Sequence, residues 1–208
     1  MNERINLVVV EGALEIPAAR KILQALRLTS DDVPIIDTHG KEQFWAKAPK
    51  YNQAAATLGP ILGLTDLDDY PCPSGLIQKH LKKNRHPKFI VRIAEHELES
   101  WLLADTEAMS KFFNISAALF PANPDQESDP KHTLVNLARR SRKTSLREDI
   151  VPNQGSRHPV GKGYQSRMVE FIQDRWRPLK AQDKSESLRR AITAIKTATV
   201  TRKEEISK

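Results

Sequence analysis

The sequence INLVVVEG at residues 5–12 decides the fold. The run INLVVV is mainly apolar and β-branched, is too short for a helix and lacks regular polar alternation, so it predicts a strand buried on both faces. The following segment, ALEIPAARKILQALRL at residues 13–28, has its apolar residues at helical spacing. The chain therefore begins with a strand, a tight turn at Glu11-Gly12 and a helix.

The alternation of strands and helices continues downstream. Further strands are predicted at 33–37, 60–64 and 88–94, and helices at about 41–57, 74–83 and 96–113. Strands that alternate with helices predict a mostly parallel sheet that is covered by helices on both faces. We therefore expect an α/β fold.

The second part of the chain differs in composition from the first. Residues 115–130 are rich in Pro, Asn and Asp and predict a loop or linker, and only helical patterns follow, at 131–141, 163–178 and 185–199. The residues TRKEEISK at the end of the chain are expected to be frayed. We predict an α/β domain at 1–114 and a basic, mainly helical extension at 115–208 that packs on it.

Charge is also divided between the two parts. Residues 131–208 hold 19 Lys and Arg against 8 Asp and Glu, a balance of +11, whereas the rest of the chain holds 14 against 18, a balance of −4. This division is expected if the first part binds cations and the second binds a polyanion. The alternative is a surface charge that serves only solubility.

Composition limits the class of protein. No apolar stretch is long enough to span a membrane, and the charged start MNERINLVVVEG leads directly into the predicted fold. A single cysteine, Cys72, excludes an internal disulfide framework and a multi-cysteine zinc site. We expect a soluble, unprocessed, cytoplasmic protein.

Acidic residues recur where predicted strands end. Glu11 follows the first strand, the turn TDLDD (65–69) follows the third, and the segment EHELE (95–99) follows the fourth. The carboxyl ends of parallel strands meet at one edge of the sheet, where α/β proteins bind ligands. Carboxylates brought together there repel one another unless a cation lies between them, and oxygen ligands favour Mg²⁺. Taken separately, each group could instead be an ordinary acidic turn or helix start.

Spacing divides these carboxylates further. Asp66 and Asp68 are two residues apart, so on an extended strand end they point the same way, while Asp69 points elsewhere and is the expendable one. Glu11 and Glu15 are four residues apart at the start of a helix, on one face and near its positive end.

The motifs VVVEGALE (8–15) and GLTDLDD (63–69) resemble the Toprim domain of topoisomerases, primases and OLD-type nucleases. Glu15, four residues after Glu11, resembles the OLD branch in particular. Downstream, RIAEHELESWLLAD (92–105), DPKHTL (129–134), GKGYQSRMVEFIQDRW (161–176) and SESLRRAI (185–192) look like a family of uncharacterised bacterial Toprim-like proteins.

This resemblance implies a Toprim-like sheet and a set of metal ligands. The ligands it implies are Glu11, Asp66 and Asp68, with a second site completed by Glu15 and a glutamate of the HELES segment, for which we favour Glu97 and keep Glu99 as second choice. The implied cofactor is Mg²⁺, with Mn²⁺ as a substitute. Topoisomerases need a nucleophilic tyrosine, and Tyr51, Tyr70 and Tyr164 lie in no context that resembles theirs, which leaves hydrolysis.

The predicted reaction is metal-dependent cleavage of phosphodiester bonds in DNA or RNA, by a nuclease of the OLD type that could act in phage defence. Lys131 and Lys162 are candidates for stabilising the charge at the phosphate, although either could be an ordinary solvated lysine. The segment GSRHPVGKGY (155–164) is not a P-loop, because the glycine spacing differs and no Ser or Thr follows the lysine. Contacts with the phosphate backbone are predicted for Arg157, His158, Lys162 and Arg167.

Other patterns have structural explanations. Position 100 is Ser where a zinc protease needs its second histidine. Trp101, Leu102, Phe112 and Phe113 are predicted to lie in the core, and Asp105 is predicted to cap a helix. The chain has no Walker motif, so an OLD-type role would need a separately encoded ATPase. The alternative function is a non-catalytic module that binds a protein partner or nucleic acid.

Overall fold

The computed structural model describes residues 4–28, 32–82 and 84–199, and these form a parallel sheet covered by helices. The four strands are β1 (Leu7–Val10), β2 (Ile35–Asp37), β3 (Ile61–Asp66) and β4 (Phe89–Ala94). Their order across the sheet is β2-β1-β3-β4, and all three neighbouring pairs are parallel. The predicted α/β fold class is confirmed.

Helices connect the strands and make up the second part of the described chain. Those between and directly after the strands are α1 (Glu15–Ala25), α2 (Lys41–Leu58), α3 (Pro73–Leu81), α4 (Glu99–Ala104) and α5 (Thr106–Phe113). Those that follow are α6 (Pro130–Arg139), α7 (Thr144–Ile150), α8 (Tyr164–Asp174), α9 (Pro178–Ala181) and α10 (Glu186–Thr199).

Two hydrophobic clusters lie on the two faces of the sheet. On one face, residues of β1, β3 and β4 pack with α2 and α3 around Phe44 and Phe89. On the other face, the alternate residues of the same strands pack with α1, α4, α5 and the later helices α6, α8 and α10. Because this second cluster joins the sheet to residues such as Phe171 and Ile192, the later helices are part of the main core.

The sheet predicted from the sequence is present, with adjusted ends. The first strand begins at Leu7 and the second at Ile35, while the third continues to Asp66 and so includes the first carboxylate of the acidic turn. The predicted core residues Trp101, Leu102, Phe112 and Phe113 are buried.

The helical pattern predicted at 96–113 starts later than expected, whereas its division at Asp105 agrees with the helix cap predicted there. It begins only at Glu99 and is divided at Asp105, whose carboxylate accepts a hydrogen bond from Ala108 N at 3.2 Å. Asp105 therefore caps the second helix, as its sequence position predicted.

Short helices are present in the predicted loop at 115–130 and in residues 144–150, for which no element was predicted. Residues 115–130 include two 3-10 turns, Ala117–Leu119 and Pro124–Gln126. Helix α7 was not predicted because it has seven residues and buries only Leu146 and Ile150, too few to show a period. The tail TRKEEISK lies outside the described residues. Within the described parts of the chain, no helix is both long and apolar enough to cross a membrane.

Candidate functional site

The parallel arrangement of the strands brings the predicted carboxylates to one edge of the sheet. Val10 pairs with Leu64, and Asp66 pairs with Ala94, so β1, β3 and β4 end next to one another. The residues that continue these strands, Glu11 after β1 and Glu95 after β4, therefore leave the sheet beside Asp66. This edge is where α/β sheets bind their ligands.

Glu11 is fixed on the end of β3. Its Oε2 atom accepts a hydrogen bond from the hydroxyl of Thr65 at 2.5 Å and another from Asp66 N at 3.2 Å. Two hydrogen bonds to the same carboxylate oxygen hold this side chain in one position. Glu11 is thus oriented by the residue directly before Asp66, and Thr65 is a site residue that the sequence analysis missed.

The carboxylate of Asp66 has the most unusual surroundings of the acidic groups at this edge. Its Oδ1 atom is buried and has no hydrogen-bond partner among the described residues. Burial, reinforced by the negative charges of Glu15 and Glu99, raises the pKa of Asp66 well above its usual range. A buried carboxylate oxygen without a partner is costly, so this atom is suited to a proton or to a cation from outside the chain.

Glu15 lies in the first turn of α1 and is only 7% exposed. Its side chain turns back toward the preceding turn, where a Cβ atom added at Gly12 would lie 3.3 Å from its Oε2. Burial, with the nearby charges of Glu11 and Glu99, raises the pKa of Glu15 from 4.5 to about 7. The carboxyl of Glu15 is therefore able to exchange a proton near neutral pH.

The two glutamates of the HELES segment have different surroundings. Glu99 is buried, accepts a hydrogen bond from the Tyr164 hydroxyl at 2.7 Å, and lines a cavity with Glu15 and Asp66. Glu97 instead binds Lys131, through the ammonium at 2.5 Å and the backbone N at 3.1 Å. Of the two glutamates, Glu99, the second choice from the sequence, is therefore the one that lies with Asp66 at the cavity.

Lys131 is a cation that already lies at this edge. Its Nζ lies 2.5 Å from Glu97 Oε1 and 3.7 Å from Glu99 Oε1. Burial acts against the charge of Lys131, but the attraction of Glu99 and Glu97 outweighs it and raises the pKa of the ammonium. Lys131 therefore stays protonated and neutralises part of the acidic group.

A cavity of about 350 Å³ connects these side chains to solvent. Its lining includes Glu15, Asp66, Glu99, Lys131, Lys162 and Tyr164. Lys162 is exposed at this cavity, so both lysines proposed from the sequence reach the same space. Burial and the charge of Glu99 raise the pKa of Tyr164 well above its usual value, which makes this phenol a poor nucleophile.

The glycines on either side of Lys162 have a structural explanation. A Cβ atom at Gly161 would lie 2.3 Å from the carbonyl oxygen of Asp149, and one at Gly163 would lie 2.6 Å from the Asp149 Cβ. Both glycines also donate backbone hydrogen bonds to the end of α7, to Ile150 O at 2.8 Å and Asp149 O at 2.9 Å. This close contact positions Lys162 and Tyr164 at the cavity.

Asp68 departs from the predicted geometry. Strand β3 ends at Asp66, and Asp68 has a φ of +50°, so the alternation of an extended strand does not reach it. Its carboxylate is exposed and pairs with the Lys41 ammonium at 2.7 Å. The extended strand end on which Asp66 and Asp68 were expected to share a direction is therefore absent, and Lys41 is a partner of Asp68 that the sequence did not indicate.

The predicted phosphate contacts are separated in the structure. Arg157 and His158 are exposed in the loop between α7 and α8, where either could meet a ligand. Arg167 is bound to Asp149 at 2.7 Å and to Glu170 at 2.6 Å, so its charge is largely neutralised within the chain. Of the four predicted contacts, Lys162 is the one that lines the acidic cavity.

A divalent cation fits the chemistry of this edge, although the side chains do not form a ready-made site. Within residues 4–28, 32–82 and 84–199, no group of three or more His, Cys, Asp and Glu is arranged to hold a metal ion. The oxygen donors are those that Mg²⁺ prefers, and Asp66 offers a buried oxygen with no partner in the described chain. The residues that would hold the ion are Asp66, Glu11, Glu15 and Glu99.

Comparisons of the chain with models of protein families, with curated proteins and with solved structures returned no significant match.

Proposed function

We propose that this chain is a divalent-cation-dependent phosphodiesterase that acts on nucleic acid, of the Toprim type suggested by its motifs. The observation that carries the proposal is the buried, unbonded Oδ1 of Asp66, placed among Glu11, Glu15 and Glu99 at the ligand-binding edge of the sheet. A bound Mg²⁺ or Mn²⁺ would supply Lewis-acid polarisation of the phosphodiester and an activated water.

The residues of the cavity can assist such a reaction. Glu15 lines the cavity beside Asp66 and would supply a further carboxylate oxygen to the ion. Lys131 and Lys162 both line the cavity and can stabilise negative charge that develops on the phosphate oxygens. Tyr164 holds Glu99 in place through its hydroxyl.

A second candidate is a non-catalytic module that binds a partner without cutting. The observation in its favour is that lysines of the chain already neutralise part of the acidic edge, since Lys131 binds Glu97 and Lys41 binds Asp68. An edge that supplies its own cations could be stable without a metal ion. The two candidates differ in whether Asp66 binds an ion.

The test combines ion binding with cleavage. Mn²⁺ is titrated into the protein by calorimetry, and supercoiled plasmid and RNA are incubated with the protein and Mg²⁺ or Mn²⁺. Asp66→Asn should abolish Mn²⁺ binding and lower cleavage at least 100-fold. The matched control is Asp69→Asn, which changes an exposed aspartate three residues away and should behave like the wild type.

The outcomes separate the candidates. Cleavage by Asp66→Asn at the wild-type rate would refute the proposed role of this residue. Absence of both Mn²⁺ binding and cleavage in the wild type would favour the non-catalytic module. Mn²⁺ binding without cleavage would favour activation by a partner. We propose that this partner is a separately encoded ATPase, which an OLD-type role in phage defence in the cytoplasm would require.

A further inference from the structure

A second feature of the molecule, apart from the acidic cavity, is a basic groove along the outer strand of the sheet. A cavity of about 620 Å³ lies between β4 and α10 and is lined by Arg85, Arg92, Arg189 and Arg190. It adjoins a cavity of about 510 Å³ that shares Arg92 and Arg190 and continues to Glu95 at the end of the strand. We call the two together the β4–α10 groove.

Arg92 is the central residue of this groove. It interrupts the apolar strand FIVRIA, and its Nε atom is buried without a hydrogen-bond partner in the described part of the chain. Burial, together with the nearby charge of Arg85, lowers the pKa of Arg92. The residue as a whole is half-buried and lines both cavities, so its side chain is placed to meet an acceptor that enters the groove.

The other arginines leave the groove with excess positive charge. Arg189 and Arg190 share one carboxylate, that of Glu186. Arg85 is exposed, and no ion pair involves it among the described residues. The adjoining cavity also contains the carboxylates of Glu95, Asp125 and Glu186. The excess positive charge therefore belongs to the cavity of about 620 Å³, whose lining, among the described residues, holds four arginines and no carboxylate.

We infer that the β4–α10 groove binds the phosphate groups of a polynucleotide strand. Guanidinium groups match phosphate oxygens in geometry and charge, and several of them in a row suit a repeated phosphate. Strand β4 has six residues and is about 20 Å long, longer than one phosphate group needs. The groove follows this strand toward the edge that carries Asp66. The inference rests on the proposed function for the identity of the ligand as nucleic acid.

The experiment measures binding separately from cleavage. Fluorescence anisotropy is recorded with a labelled 20-nucleotide single-stranded DNA in EDTA, over a series of salt concentrations. The variants are Arg85→Gln, Arg92→Gln and the double variant, and the control is Arg140→Gln, an exposed arginine at the end of α6 outside the groove.

The double variant should bind the oligonucleotide at least tenfold more weakly. Its slope of log affinity against log salt should also be shallower by roughly 1.4, because each of the two lost phosphate contacts with a single strand contributes about 0.7. Arg140→Gln should keep the wild-type affinity and slope. Because Arg85 is exposed, Arg85→Gln should show part of the loss without disturbing the fold.

Three results would overturn the inference. The first is a double variant that is folded and binds the oligonucleotide with unchanged affinity. The second is an equal loss of affinity in the control Arg140→Gln. The third is displacement of the oligonucleotide by inorganic phosphate or tripolyphosphate at concentrations similar to the DNA, which would identify a small-anion site instead. Asp66→Asn should bind the oligonucleotide like the wild type in EDTA, so failure of the cleavage proposal and failure of the groove are distinguishable.

Discussion

The buried carboxyl of Glu15 gives the protein a pH-dependent stability. Its pKa is raised from 4.5 to about 7, so between these pH values the folded state binds a proton that the unfolded state has released. The unfolding free energy without added metal should therefore fall as pH rises from about 4.5 to about 7, by about 1–3 kcal/mol. Urea denaturation at pH steps across this range, in EDTA, measures the change.

Substitution of the same residue should weaken this dependence. Glu15→Gln cannot ionise, so its profile should be flatter than that of the wild type over the same pH range, with higher stability at pH 7. Exposed Glu42→Gln, at the start of α2, serves as the control. A wild-type slope in Glu15→Gln would show that another group is responsible.

At the scale of single residues, the sequence indicated which side chains lie at this edge of the sheet better than it indicated how they are arranged. Glu11, Asp66 and Glu15 could be found because they lie at strand ends and helix starts, which local patterns reveal. Lys131 and Tyr164 reach the cavity from elements far along the chain, and no local pattern ties them to Glu99. Asp68 was misplaced because the strand ends two residues before it.

At the scale of elements, the contact between α7 and Gly161 fixes the position of Lys162. Gly161→Ala would place a Cβ 2.3 Å from the Asp149 carbonyl oxygen, so α7 or the glycine loop would have to move. We expect a loss of about 1–3 kcal/mol of stability. Urea unfolding measures this loss.

The control for Gly161→Ala lies in the same loop. Gly155 has a φ of +79°, and an added Cβ would meet no atom within 4 Å. Asn tolerates this backbone conformation better than most residues with a side chain, so Gly155→Asn should cost only the strain of the positive φ and lose less stability than Gly161→Ala. Equal losses in the two variants would indicate a general sensitivity of the loop and not the contact with Asp149.

The start of α10 depends on a cap from a distant segment. Asp125, in a 3-10 turn, accepts hydrogen bonds from Ser187 N at 2.9 Å and from the Ser185 hydroxyl at 2.8 Å. Asp125→Ala should therefore lower the unfolding free energy by about 1–2 kcal/mol, measured by thermal or urea denaturation. Asp183→Ala, an exposed aspartate just before the helix, is the control and should lose less than 0.5 kcal/mol, roughly the effect of an ordinary surface substitution.

Sequence patterns found the longer elements and missed the short ones. The strands and the helices α1, α8 and α10 show clear apolar runs or periods, because each buries several residues along one face. The seven-residue α7 and the 3-10 turns are stabilised by contacts with other elements, such as those of Gly161 and Asp125. These contacts join residues far apart in the chain and leave no local pattern.

At the scale of the whole molecule, the shared hydrophobic cluster predicts one cooperative unit. Ile192 of α10 is buried in the same cluster as β1 and β3. Ile192→Ala should lower the unfolding free energy by about 2–5 kcal/mol and shift the whole transition, with tryptophan fluorescence and circular dichroism changing together. The comparison variant is Leu179→Ala, which truncates an exposed side chain.

Two separated transitions would contradict this prediction. They would instead support a boundary near residue 114, where the composition of the sequence changes. A boundary of this kind was inferred from composition and charge, which describe the surface, whereas cooperativity depends on which apolar side chains share a core.

The contact of Gly161 and Gly163 with Asp149 also limits how such a chain can diverge. A relative with the same cavity could vary the loop from 152 to 160 in length and composition, because that loop does not make this contact. It could not add a side chain at either glycine without a compensating change at the end of α7. We therefore expect any chain that keeps this cavity to keep Gly-Lys-Gly-Tyr together with a residue at the end of α7 that leaves room for both glycines.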